Sequence, residues 1–320
     1  MMRSYLDESG LRIANAPLDQ VRDAINDLVD VMDEIRAHAG EELLLWSESA
    51  YDEALEEGRT LENFLFQPRP DEAPLVDVKR RWSIALDRLP SWENVEWELE
   101  VTDYDVRLGS ETVLAPSLAQ AVAADASHGP IACLALSTAR EAGTFEATMG
   151  ASCATLHAIT SLDERPRFVR NWLLRNPPPP AELARFTERA FPELSWTDEA
   201  RSGLRTNSKY FFNDRFETTI RHLGVLNDHA AEIFSRETEP DRREQYLAAH
   251  DVNANSESPN TRADKRARAE RLVHWRGEDL YFWWHTKIRF DTGRIHFHHD
   301  SAAPAPGRIV VGLCVKHLKV

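Results

Sequence analysis

The stretch that decides the architecture of this chain is Tyr281-Phe282-Trp283-Trp284-His285-Thr286-Lys287-Ile288-Arg289-Phe290-Asp291-Thr292-Gly293-Arg294-Ile295-His296-Phe297-His298-His299-Asp300. Near its centre, Asp291-Thr292-Gly293-Arg294 is a turn signal, with glycine where a positive φ is needed. A two-residue loop at Thr292-Gly293 pairs Asp291 with Arg294. The register then predicts Arg289 opposite His296, Lys287 opposite His298 and His285 opposite Asp300. On the other face Phe290 meets Ile295 and Ile288 meets Phe297. A slip of one residue would scatter both groupings. One face of the hairpin is therefore expected to carry His285, Lys287, Arg289, Arg294, His296 and His298. Cations directly opposite one another on a sheet repel, so a stripe this dense calls for an anion such as a phosphate backbone. The other readings are that it lies against acidic residues of the same chain or is solvated.

Downstream, Arg308 to Val315 is almost wholly apolar, as expected of a strand covered on both faces. Gly312 within it marks the close approach of another segment, or a bulge. The strand is followed by Lys316-His317. Upstream, Thr261 to Arg271 reads as a short basic helix N-capped by Thr261. Residues 251–260 have the composition of an exposed polar linker, and 181–190 and 214–236 read as helices. Pro177 to Pro180 cannot continue a helix and make a stiff spacer, where the main boundary is placed. The expected fold class is α+β. An acidic helical domain with a small mixed sheet (1–176) precedes a helical segment (181–250) and a basic antiparallel β-meander unit (261–320).

Within the first domain, Leu18, Val21, Ile25, Leu28, Met32 and Ile35 recur every three to four residues and predict a helix over 17–39. Its other face holds Asp19, Asp23, Asp27, Asp30 and Glu34, read as a solvated face and not a metal site. A second acidic helix is expected near Ser49 to Glu57. Val95, Trp97, Leu99 and Val101 alternate with glutamates, the pattern of a half-buried strand. Val106-Arg107-Leu108 and Thr112-Val113-Leu114 continue it around Gly109-Ser110. Ile131 to Leu136 and Thr155 to Ile159 read as further strands, and Asp163 to Arg175 as a helix.

Charge is unevenly placed. The net charge is −15, yet residues 1–60 alone carry −10 and residues 261–320 carry +6 with six of the twelve histidines. The C-terminal end attracts anions and the rest repels them; attraction between the two halves is the simpler alternative. A hydrophobic fraction of 42% and nine tryptophans provide for a real core. No signal peptide is read at the N-terminus, and no apolar run approaches the roughly 20 residues that cross a bilayer. Three cysteines (Cys133, Cys153 and Cys314) without CxxC spacing suit a reducing cytoplasm. A cytoplasmic location and no membrane partner are expected. Dinucleotide, P-loop, zinc-protease and serine-hydrolase motifs are absent from the sequence.

The aromatic and basic strand, the tight turn, the strand opened by Arg294-Ile295-His296-Phe297, the short loop and the Ile-Val-Val strand ending in Lys316-His317 together resemble the terminal meander of the RelE/HigB/ParE toxin superfamily. The likeness covers about 60 of the 320 residues. Members place a helical pair before a twisted antiparallel sheet. Their ribonucleases cleave RNA, usually at the ribosome, with Arg, Lys, His or Tyr on the exposed sheet face, and their gyrase-directed relatives share the fold without cleavage. Those proteins are small and strongly basic, so the attached acidic domain is a departure. The chain also looks like bacterial defence proteins that end in a His-x-Lys, Arg-Ile-x-Phe, Val-Gly, His-Leu pattern.

These likenesses imply a nucleic-acid-directed protein of a defence or toxin-like system, in one version a metal-independent endoribonuclease. Cleavage through the 2′-hydroxyl needs a base, an acid and a cation to stabilise the phosphorane. His285, oriented by Asp300, supplies the base, and His296, His298 or His317 the acid. Lys287, Arg289 and Arg294 hold phosphate. The catalytic set is therefore His285, Lys287, Arg294 and His296, with nucleic acid bound by Arg266, Arg268, Arg289, His298, Lys316 and His317. No cofactor and no metal are required. A competing metal reading uses His296 and His298, with His299 pointing the other way. The expected partners are nucleic acid, RNA ahead of DNA, through 261–320, and a protein through the acidic domain. The alternative is a non-enzymatic adaptor whose basic unit docks onto an acidic partner.

Overall fold

In the computed structural model the chain divides into two units, Met1–Arg175 and Asn176–Val320. Residues 1–13, 16–94, 101–290, 292–304 and 306–318 are described. The fold is α+β, with each unit built around its own sheet.

The first unit runs β1 (Met2–Leu6), α1 (Leu18–Ala37), β2 (Glu42–Leu45), β3 (Ala54–Glu56), β4 (Arg59–Thr60), α2 (Leu61–Phe66), α3 (Val76–Leu86), β5 (Asp105–Leu108), β6 (Glu111–Leu114), α4 (Pro116–His128), β7 (Ala132–Leu134), β8 (Gly143–Met149), β9 (Ser152–Ile159) and α5 (Arg165–Arg175). Seven strands form one mixed sheet in the order β2-β1-β7-β9-β8-β5-β6. The first four are parallel neighbours and the remainder antiparallel. Strands β1, β2 and β7 are short and nearly all buried, as strands covered on both faces are. Alanines along α4 let it approach the sheet closely, where Leu118, Ala121 and Val122 share a core with Tyr5, Val106, Cys133 and Leu156.

Helix α1 forms where its periodicity places it and buries Val21, Ile25, Leu28, Met32 and Ile35. Its acidic face is partly neutralised within the unit, Asp30 by Arg81 and Glu34 by Arg165. The helix expected near Ser49 to Glu57 does not form. Glu48–Asp52 is a 3-10 turn entered through a hydrogen bond from the Ser49 N–H to the Ser47 hydroxyl. Ser near a chain turn competes with helix in this way. The chain then pairs as β3–β4 across Gly58, whose φ is +71°. Of the strand expected over Val95 to Val101, residues 95–100 lie outside the described residues.

The second unit runs α6 (Leu183–Ala190), β10 (Leu194–Trp196), α7 (Asp198–Thr206), α8 (Phe216–Val225), α9 (Ala231–Arg236), α10 (Pro240–Ala249), β11 (Ala254–Ser256), α11 (Pro259–Ala263), α12 (Lys265–Glu270), β12 (Leu272–Trp275), β13 (Glu278–Tyr281), β14 (Trp284–Lys287), β15 (Arg294–Asp300) and β16 (Arg308–Val315). The sheet order is β10-β16-β15-β14-β11. Strands β14, β15 and β16 form the antiparallel meander, β10 joins β16 in parallel, and β11 joins β14 antiparallel. The stretches read as separate, 181–250 and 261–320, thus share one sheet.

Strand β16 is an inner strand, and Gly312 is a site of close approach: a Cβ there would lie 2.3 Å from the Phe282 ring. Helix α7 presses on the same strand. Its N-cap Thr197 donates to the Gly312 carbonyl at 2.6 Å, and Asn207 to the Cys314 carbonyl at 3.1 Å.

Three local expectations are corrected. The linker at 251–260 contains β11, and its Val252 and Ala254 are buried. The basic helix is two short helices capped by Ser258 and Asp264, not by Thr261, which is buried. In the hairpin Lys287 faces Arg294 and His285 faces His296. The ladder continues from Ile288 N–H to Gly293 O (3.0 Å) and from Arg289 N–H to Thr292 O (3.1 Å), so the chain reverses two residues earlier than the turn signal. Asp291, assigned to that turn, lies outside the described residues.

Candidate functional site

The true register moves every partner by four residues, an even number, so the side-chain faces survive the shift. Trp284, Thr286, Ile295 and Phe297 take one face of β14–β15, and His285, Lys287, Arg294 and His296 take the other. That second face is not the exposed cationic stripe the sequence implied. His285, Arg294 and His296 are 8%, 3% and 1% exposed.

Arg294 is drawn into the hairpin end, where its guanidinium donates to the carbonyls of Arg289 and Phe290, each at 2.6 Å. The two histidine rings lie 5.1 Å apart. Burial pushes the His285 pKa down to about 2, with His296 and Arg294 adding to the effect, and burial pushes His296 down to about 3. Both rings are neutral at physiological pH. Neutrality and enclosure are how the sheet tolerates these opposed bases. His285 is therefore a poor proton acceptor for a substrate it cannot reach.

The carboxylate beside His285 is Glu257, not Asp300. Its Oε1 lies 3.5 Å from His285 Nδ1 and accepts from Arg271 Nε at 2.8 Å. The Glu257 N–H donates to the Trp283 carbonyl at 2.9 Å. Arg271 is 2% exposed and also donates to the Ala267 carbonyl. Neither residue stands out in the sequence. Glu257 sits in a stretch of turn-forming composition, and only the pairing of β11 with β14 brings it to the histidines.

Several of the other sequence-predicted residues have partners elsewhere. Arg289 is exposed and pairs with Asp214 at 2.6 Å, and Arg266 pairs with Glu270. Lys316 and His317 are exposed. Arg268 lies over the Tyr281 ring, 5.0 Å from its centroid, and donates to the Tyr281 hydroxyl at 3.1 Å.

That last contact opens onto a cleft of about 900 Å³ on the Trp284–Phe297 side of the sheet. Tyr281 and Trp283 are stacked, their planes parallel to within 4° and their centroids 5.2 Å apart. Residues two apart on an extended segment share a face, which is why these rings meet. Arg262 lies over Trp283 at 5.6 Å, and Arg243 over Phe234 at 4.5 Å. His298 and His299 also line the cleft. His298 is half-buried, and desolvation lowers its pKa. His299 is held against the Pro306 carbonyl at 3.1 Å. The cleft thus combines aromatic faces, guanidinium groups and histidines, the ingredients that grip a base and its phosphate.

Among the described residues no helix is long and apolar enough to cross a membrane. The chain has no significant match to a protein-family model, to a curated protein or to a solved structure.

Proposed function

We propose that the second unit is a nucleic-acid-binding module that takes a single strand, RNA ahead of DNA, across the Tyr281–Trp283 cleft. The observation that carries this reading is the stacked aromatic pair with a guanidinium over each ring. Aromatic faces accept bases irrespective of sequence, at about 1–3 kcal/mol per base, here by displacing a guanidinium from its ring so that the arginine meets the phosphate. The cleft differs from the site the sequence suggested, because the histidines facing it are His298 and His299 and not His285 and His296. The toxin likeness makes endoribonuclease activity the enzymatic version of the proposal, with His298 and His299 as the proton-transfer groups. A setting in a defence or toxin-like system rests on sequence likeness alone.

The test uses the full chain with labelled single-stranded RNA and DNA, at graded salt and in EDTA. Binding should weaken as salt rises and should fall about 5- to 150-fold in Trp283→Ala, the range that 1–3 kcal/mol represents. Arg262→Ala should reduce the salt dependence. Cleavage that persists in EDTA and is lost in His298→Ala would establish the ribonuclease version. Absence of binding at low salt would overturn the proposal and leave the adaptor reading.

A further inference from the structure

Glu257, His285 and His296 each bring one ligand atom into a group that spans no more than 4.8 Å. We propose that these three side chains bind a divalent transition-metal ion, zinc or ferrous iron. This inference does not depend on what occupies the cleft.

The orientation of His296 is the first argument. Its Nδ1 lies 3.1 Å from the Phe282 carbonyl. A carbonyl only accepts, so Nδ1 carries the proton and Nε2 carries a lone pair. That Nε2 is buried and has no hydrogen-bond partner. A buried acceptor left unpaired costs about 1–3 kcal/mol, a cost that a bound ion would relieve. Fixing one ring nitrogen with a backbone carbonyl and offering the other is the usual arrangement of a metal-binding histidine.

The spacing is the second argument. His285 Nδ1 also lacks a hydrogen bond, and it stands 3.5 Å from Glu257 Oε1. Two ligands on a tetrahedral ion with bonds of about 2.0–2.1 Å are separated by about 3.4 Å. Glu257 is held for this role by Arg271 on its carboxylate and by Trp283 on its backbone. The third argument is ligand chemistry. Two imidazoles and one carboxylate suit zinc or ferrous iron, whereas calcium and magnesium prefer all-oxygen sites.

Three protein ligands leave a position open, the pattern of reactive zinc centres and not of closed structural ones. Lys287 and Arg294 share the face with His285 and His296, and His317 interacts electrostatically with both His296 and Glu257. The positive charge of Lys287 and Arg294 opposes a bare dication and favours an anion, such as hydroxide, in the open position.

The experiment is titration of EDTA-stripped full-length protein with Zn²⁺ by calorimetry, and with Co²⁺ as a visible-absorption probe. One ion per chain is expected. Glu257→Gln and His296→Gln should each abolish that uptake. His298→Ala should retain it, as should a change of the stacked surface pair His229 and His250, whose centroids lie 4.1 Å apart. Because a core variant can lose metal by failing to fold, X-ray absorption of the zinc-loaded wild type provides an independent readout. Two imidazoles with oxygen ligands and no sulfur are expected. No stoichiometric uptake, uptake that survives both core variants, or a sulfur-containing shell would overturn the proposal.

Discussion

Arg271→Met tests whether the Glu257–Arg271 contact behaves as a buried ion pair. The substitution keeps the aliphatic stem and removes the guanidinium that donates to Glu257 Oε1 at 2.8 Å. The two side chains are 2% and 9% exposed. Deleting one partner of a buried pair costs about 3–5 kcal/mol, because the other charge is left without compensation. The carboxylate sits at the edge of the core, and its neighbour His285 is neutral and gives little help, which puts the expected loss near the low end, about 3 kcal/mol. At about 1.4 kcal/mol per factor of ten, opening of the unit becomes about 150-fold more frequent. Amide hydrogen exchange over β14 and β15, measured in EDTA so that no ion replaces the lost cation, reads this directly. Arg81→Met is the control, since Arg81 and Asp30 are 41% and 45% exposed and a surface pair contributes less than about 1 kcal/mol. Acceleration below about fivefold in Arg271→Met, or an equal effect in the control's own unit, would refute the reasoning.

Two further outcomes follow from packing and titration. In Gly203→Ala the new Cβ would stand 2.3 Å from the Cys314 carbonyl oxygen. Helix α7 must then back away from β16, which lowers the melting temperature of the second unit at a cost of about 1–3 kcal/mol; an unchanged melt would contradict this. His157 and His222 are buried, and desolvation lowers each pKa to about 4. The unfolded chain binds the proton first, so each contributes stability that is complete above about pH 6.5 and is lost as pH falls toward 4, on the order of 3 kcal/mol apiece. Urea midpoints at pH 7 and pH 4.5 should diverge less in His157→Leu than in the wild type, and equal divergence would count against the assignment.

The sequence was most legible where its period was strong. The apolar run Arg308 to Val315 became an inner strand, and the two faces of the β14–β15 hairpin were separated correctly over 284–287 and 294–297 even though the register was not, whereas His298, expected beside His296, lines the cleft on the other side. An even shift preserves parity, so the pattern that revealed the faces was blind to the error. Gly293 does take a positive φ, +70°, but inside the ladder and not in the reversing loop. Which face would be exposed was not legible, because that depends on distant segments carrying Glu257, Arg271 and Phe282. Strands β10 and β11 have three residues each, too few for any period to register. The cleft had a readable trace: Tyr281 and Trp283 alternate on an extended segment with Arg262 and Arg268 upstream. Only the fold brings the guanidinium groups over the rings.

The pairing of β10 with β16 bears on how the protein folds. The Thr197–Gly312 hydrogen bond beside it joins residues 115 apart in sequence. Closing such a span costs chain entropy before any contact rewards it, and sheets built this way form slowly. Strand β10 then has no partner, and β15 has one neighbour only, until β16 has left the ribosome. The first unit closes its own sheet by Ile159 and can fold while the second is still being made. During that interval the apolar faces of the second unit are open, and that is the period in which this protein most needs protection from aggregation.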